Sequence, residues 1–222
     1  MSIDKQRTFE TLIFDMDGVV INSEMLYFNA TKKLFKKYGK ELNYEELAPL
    51  LSGMHFEEGA VLIKEKYDFP LMADALMLER QLLVDAEYST RLTYVAGFEN
   101  FFKRVVTAGL KTCIATSSND HLLAVAIQKL GLDKKFGTNI FKASDVGNVS
   151  KPNPALFLYA AQSMGTSPDK CFVIEDAPKG ILAAKNAGMF CIGITTSFPK
   201  DLLSHADMVV DSFDEIDFEG LQ

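Results

Sequence analysis

Asp15 and Asp17 stand one residue apart at the end of the apolar run LIFDMDGVV, residues 12–20, and Gly18 follows them. If the strand that this run predicts continues that far, positions i and i+2 share a face and the two carboxylates point together. Two like charges about 4 Å apart repel by roughly 4 kcal/mol at an effective dielectric of 20. Such a pair calls for a cation, a raised pKa or a reaction that uses both acids. Farther along, KTCIAT (111–116) ends in Thr116 and runs on into Ser117, Ser118 and Asn119. KCFVIE (170–175) ends in Glu175, with Asp176 next, and Lys151 lies in the loop SKPNP ahead of a helix. Ligands of open parallel sheets bind at the carboxyl ends of the strands. Side by side, these strands would gather four carboxylates, two or three hydroxyls and one lysine on one edge.

That edge carries a local charge of about −3, which a hard divalent cation with oxygen ligands relieves, Mg²⁺ being the common choice. The ammonium, the hydroxyls and the N–H groups of a helix start suit phosphate. A metal, a phosphate cradle and a carboxylate able to attack together suggest phosphoryl transfer through an aspartyl-phosphate. Taken singly, an aspartate after a strand is usually a turn or cap residue. Thr116, Ser118 and Asn119 would serve as helix caps, a use compatible with phosphate binding because both draw on the same helix start. His55, His121 and His205 are scattered and show no metal-ligand spacing.

The elements that must position these residues are legible in the hydrophobic pattern. KTCIAT, NIFKAS (139–144), KCFVIE, MFCIGIT (189–195) and ADMVV (206–210) read as buried strands. Between them NDHLLAVAIQKLG (119–131), NPALFLYAAQSMG (153–165) and APKGILAAKNAG (177–188) read as helices, with Asn119 or Asp120, Asn153–Pro154 and Pro178 as starts and Gly131, Gly165 and Gly188 as stops. Repeated strand–helix–strand implies an α/β fold, a Rossmann-like parallel sheet with helices on both faces. EMLYFNATKKLFKKYG, YEELAPLL, FEEGAVLIKEKY and LMADALMLERQLLVDAEY, between residues 24 and 88, are helical in period with no strand among them. The expected organisation is a core from 1–21 and 93–222 interrupted after its first strand by a small all-helical insert, 22–92.

Composition narrows the class of protein. The chain has 222 residues, is 48% hydrophobic and carries a net charge of −7. It can bury a sizeable core, and it lacks the basic stripe of a nucleic-acid binder. The start MSIDKQRTFE lacks the apolar stretch of a signal peptide, and no apolar run approaches a membrane span. Cys113, Cys171 and Cys191 lie in separate apolar runs and read as buried reduced thiols. A cytoplasmic protein, monomeric by default, fits these features.

DMDGV, the hydroxyls TSS, the lysine of SKPNP and the acidic pair of IEDAPKG, in that order, resemble the haloacid dehalogenase superfamily of phosphotransferases. The helical stretch between the first two motifs resembles the group with a helical cap, which includes beta-phosphoglucomutase, phosphoglycolate phosphatase and sugar-phosphate phosphatases. The resemblance implies that Asp15 takes the phosphoryl group. It implies that Asp17 protonates the leaving oxygen, then activates water, while its backbone carbonyl faces the metal. Thr116 and the Ser117 amide would bind the transferring phosphate, with Gly18, Asn119 and His55 completing the phosphate-binding set. Lys151 would pair with nucleophile and phosphate. Asp15, Asp17, Glu175 and Asp176 would form the Mg²⁺ site. An acid at position 17 sets the chain apart from true dehalogenases and phosphonate-cleaving relatives, which lack one there.

Three departures bear on the substrate. Beta-phosphoglucomutase-like proteins carry a histidine where this chain has Tyr27 and an arginine where it has Phe56; Asn22 stands where aspartate is commoner. The arginine holds the substrate's second phosphate, and neighbouring His55, mostly neutral at pH 7, replaces it poorly. The expected activity is therefore hydrolysis of a small phosphorylated metabolite, a sugar phosphate first, with phosphomutase as the alternative and a non-catalytic regulatory protein on the same fold as the remaining one.

Overall fold

The computed structural model describes residues 8–51 and 56–217. By their internal contacts these divide into an α/β unit, 1–22 with 93–222, and a helical unit, 23–92.

In chain order, β1 (Thr11–Phe14) precedes four helices, α1 (Glu24–Lys37), α2 (Tyr44–Leu51), α3 (Phe56–Tyr67) and α4 (Ala73–Arg91). Then come α5 (Phe98–Thr107), β2 (Lys111–Thr116), α6 (Asp120–Leu130), α7 (Leu132–Phe136) and β3 (Ile140–Lys142). α8 (Ala155–Ser163), β4 (Cys171–Glu175), α9 (Pro178–Asn186), β5 (Phe190–Ile194) and β6 (Met208–Val210) complete the described chain. The strands form one parallel sheet in the order β3-β2-β1-β4-β5-β6.

Strand alternation sorts the side chains between two faces. Ile13 is in register with Cys113 on one side and Val173 on the other, and all three join the buried cluster that holds Leu156 and Phe157 of α8 and Ile181 and Ala184 of α9. Phe14 points the opposite way. Its ring meets Phe98 and Phe101 of α5 and Phe136 of α7 at 5.5, 6.2 and 5.9 Å, in edge-on geometry. Both faces are thus covered by helices, as the near-continuous apolar runs of the strands require. α5 goes beyond the expected elements; its apolar stripe Phe98, Phe101, Phe102, Val105 has helical spacing and is buried throughout.

α8 starts one residue later than its sequence suggests. Pro154 flanks the helix, and the Asn153 side-chain carbonyl accepts from the Ala155 amide at 2.9 Å, so Asn153 still satisfies a helix-start N–H. In the helical unit, Leu34, Phe35, Leu47, Ile63, Phe69 and Leu76 make a separate apolar core, with Phe35 edge-on to Phe69 at 5.0 Å.

Candidate active site

β1 ends at Phe14, but the Asp15 amide still donates to the Ile174 carbonyl at 3.0 Å, so Asp15 stays in register with β4. There the chain leaves the sheet. The Val20 and Ile21 amides both donate to the Met16 carbonyl at 2.9 Å, and the Gly18 amide donates to the Ile21 carbonyl at 2.8 Å. Gly18 sits at φ +75°, and a Cβ on it would overlap the Asp176 carboxylate and crowd Ser197 Oγ. Only glycine suits both the backbone and the space. Because the chain turns out of the sheet after Asp15, the two aspartates do not lie on one continuing strand face, and they take different partners. Asp15 Oδ1 accepts from Lys151 Nζ at 2.5 Å, and Asp17 Oδ2 accepts from Ser118 Oγ.

Lys151 is 8% exposed and lies 4.8 Å from the centre of the Phe157 ring. Its ammonium donates to Glu175 Oε1 at 2.6 Å as well as to Asp15. The other Glu175 oxygen accepts from the Asp176 and Ala177 amides at 2.9 and 3.0 Å, just ahead of α9. Glu175 presses so closely on α9 that a Cβ at Gly180 would overlap its carboxylate.

Burial pushes the Asp15 carboxyl up to about 8; Lys151 opposes the shift, and Glu175 and Asp17 reinforce it. Burial alone would lower the Lys151 ammonium, but Asp15 and Glu175 outweigh it and hold it above its ordinary value. One ammonium therefore leaves the edge with surplus negative charge. Asp15, Glu175 and Asp176 each bring a carboxylate oxygen within 4.8 Å of the others. Clustered hard oxygen donors with an unbalanced negative charge fit a divalent cation such as Mg²⁺. The Asp17 carboxylate, engaged with Ser118, is outside that trio.

Thr116 is fully buried at the end of β2, where its Oγ1 accepts from the Ser118 amide at 2.9 Å. Ser117 is exposed. Asn119 caps α6, its side-chain carbonyl accepting from the Leu122 amide at 2.9 Å. His55 lies outside the described residues, as does the side chain of Phe56. Three hydroxyls at this edge were not singled out in the sequence for what they contact. Ser118 meets Asp17, Ser197 donates to Asp176 Oδ2, and Thr196 donates to the Gly18 carbonyl at 2.5 Å. Their only signal is position, directly after the β2 and β5 runs. Among the described residues no helix is long and apolar enough to cross a membrane.

The site thus places a buried lysine, bridging two carboxylates, at the strand ends of a parallel sheet with helices on both faces. Over residues 9–188 the chain matches, and belongs to, the haloacid dehalogenase-like hydrolase family. A probable pseudouridine-5'-phosphatase of Drosophila melanogaster is 30% identical over 206 residues, which span 90% of this chain and 88% of that protein. A phosphorylated carbohydrates phosphatase of Thermotoga maritima is 29% identical over 183 residues, 81% of this chain and 82% of its own. The crystal structure of a haloacid dehalogenase-like protein of unknown function from Agrobacterium tumefaciens superimposes with a TM-score of 0.81 at 29% identity, covering 93% of this chain and 95% of that one. Within the family this chain is a phosphoric monoester hydrolase.

Proposed function

We propose that the chain is a Mg²⁺-dependent phosphatase that hydrolyses a small phosphorylated metabolite through a phosphoenzyme on Asp15. The observation that carries this reading is the Lys151 ammonium bridging Asp15 and Glu175 at 2.5 and 2.6 Å, with Asp176 beside them. Asp15, Glu175, Asp176 and the Asp17 carbonyl would hold Mg²⁺. The ion supplies neutralisation of phosphoryl charge and lets the crowded carboxylates stay ionised.

Asp15 attacks phosphorus, and as its O–P bond forms the bond from phosphorus to the leaving oxygen breaks. Asp17 delivers its proton to that oxygen. A water then attacks the phosphoryl group while Asp17 takes its proton; the bond to Asp15 breaks and inorganic phosphate leaves. Lys151, Thr116 and the Ser117 amide hold the phosphoryl oxygens, with Gly18 and Asn119 shaping the backbone around them. The Ser118 hydroxyl fixes the direction of the Asp17 carboxyl.

Substrate selection falls to the helical unit, 23–92, as a cap, with His55 in the substrate-binding set. The relatives are named for pseudouridine 5'-phosphate, a nucleoside monophosphate, and for phosphorylated carbohydrates; both carry the phosphate on a sugar, and sugar phosphates are the first class to test.

The test is phosphate release from a panel of sugar phosphates and nucleoside monophosphates, with Mg²⁺ and with EDTA. Asp15→Asn is expected to lower release by at least about 10³-fold, and Asp17→Asn by about 10²–10⁴-fold. Unchanged release by Asp15→Asn, or full release in EDTA, would sink the mechanism. Phosphoryl transfer that needs a bisphosphorylated sugar activator would assign the chain to the phosphomutases.

A further inference from the structure

Just past β5 the chain is held from both sides. The Thr195 amide donates to the Val210 carbonyl at 3.0 Å and its hydroxyl to Asp211 Oδ1 at 2.7 Å, which ties this end of β5 to the end of β6. Three residues on, Phe198 is 8% exposed and packs into the apolar cluster shared with α8 and α9. Between these anchors, Thr196 Oγ1 donates to the Gly18 carbonyl at 2.5 Å and Ser197 Oγ donates to Asp176 Oδ2. β5 lies beside β4 and β4 beside β1, so residues following three different strands meet here. The same meeting is visible from Gly18, where an added Cβ would strike both the Asp176 carboxylate and Ser197 Oγ.

We infer that Ser197 and Thr196 are positioning residues for the cation site. Ser197 fixes one oxygen of Asp176 and so sets the plane of that carboxylate; Thr196 fixes the turn that carries Asp17 and Gly18. A hydrogen bond to a ligating carboxylate orients it, and losing such a partner commonly costs 10–100-fold in metal affinity. This inference rests on the proposed role of Asp176 as a Mg²⁺ ligand.

The experiment measures Mg²⁺ binding by isothermal titration calorimetry, and melting temperature with EDTA and with Mg²⁺, for wild type, Ser197→Ala, Ser197→Thr and Thr196→Val. Ser197→Ala is expected to weaken Mg²⁺ binding by about 10–100-fold while melting as the wild type does in EDTA. Ser197→Thr keeps the hydroxyl and is expected to recover most of the affinity, and Thr196→Val to give a smaller loss. Mg²⁺ binding by Ser197→Ala as tight as that of the wild type would overturn the positioning role. So would a loss that Ser197→Thr does not recover and that comes with a lower melting temperature in EDTA, the mark of a purely structural residue. Failure of the wild type itself to bind Mg²⁺ would overturn the metal reading and this inference together, and the wild-type titration alone reveals it.

Discussion

Lys151 in the α/β unit and Arg80 in the helical unit are both buried cations, 8% and 7% exposed, in opposite surroundings. Two carboxylates crowd the Lys151 ammonium at 2.5 and 2.6 Å, and with Asp176 and Asp17 nearby the local balance stays negative. Arg80 instead lies 6.0 Å from the centre of the Tyr27 ring, in a network where the Tyr88 hydroxyl donates to Tyr27 at 3.3 Å and the Tyr44 hydroxyl donates to Glu24 at 2.7 Å. Burial draws the Arg80 guanidinium below its ordinary value, against the pull of Tyr27, Tyr44 and Glu24. Burial and Glu24 push the Tyr44 phenol upward. The buried guanidinium of the helical unit thus faces phenols and the Glu24 carboxylate, while the sheet edge gathers carboxylates that Lys151 leaves unbalanced. A buried ion pair is weak evidence of stabilisation. Concentrated like charge is better explained by what the edge binds.

The contrast can be broken or sharpened by removing each cation. Lys151→Met leaves Asp15 and Glu175 facing each other without an ammonium and should cost about 3–5 kcal/mol, read from urea unfolding in EDTA, with phosphate release lost. A wild-type midpoint would mean that the two carboxyls share a proton at little cost. Arg80→Lys keeps the charge but loses the planar guanidinium against Tyr27, so a loss of about 1 kcal/mol is expected in the same assay. A cost as large as that of Lys151→Met would put both cations in one category. Smallest is Lys66→Ala on the exposed Lys66–Glu46 pair, 2.5 Å long with side chains 32% and 52% exposed. Its midpoint should stay at the wild-type value at low and high salt alike, because a solvated pair is screened and its ordering entropy offsets its attraction.

Local signals made much of the fold legible. The KTCIAT run is β2 to the residue, FEEGAVLIKEKY is α3, and Gly131 closes α6 in the left-handed conformation. These depend on neighbours in sequence, which is what periodicity and capping report. α5 is the helix that no motif pointed to, although Gly97 and Gly109 bracket it and its phenylalanines have helical spacing; it lies where the chain returns from the insert, ahead of the first strand–helix repeat. At the site, the joining of Asp15, Lys151 and Glu175 was expected from the strand ends. The separate partners of Asp15 and Asp17 were not, since they depend on the chain turning out of the sheet after Asp15. Ser197 and Thr196 were beyond sequence reasoning for a different reason. A serine after a strand is ordinary, and only the order β1-β4-β5 brings this one to Asp176.

The central strand of the sheet also has a history in time. Thr11 of β1 pairs with Lys111 on one side and with Cys171 on the other, and the whole helical unit, 23–92, lies between β1 and both partners. During synthesis β1 therefore emerges long before either neighbour exists, while the helical unit can close its contacts within one continuous stretch. Long-range parallel pairing is slow because loop closure precedes its reward. An apolar TLIF strand waiting for its partners is the kind of unpaired segment that chaperones shield, so the residue order that delivers Asp15 to the centre of the sheet also makes its strand the one that waits longest for a first partner.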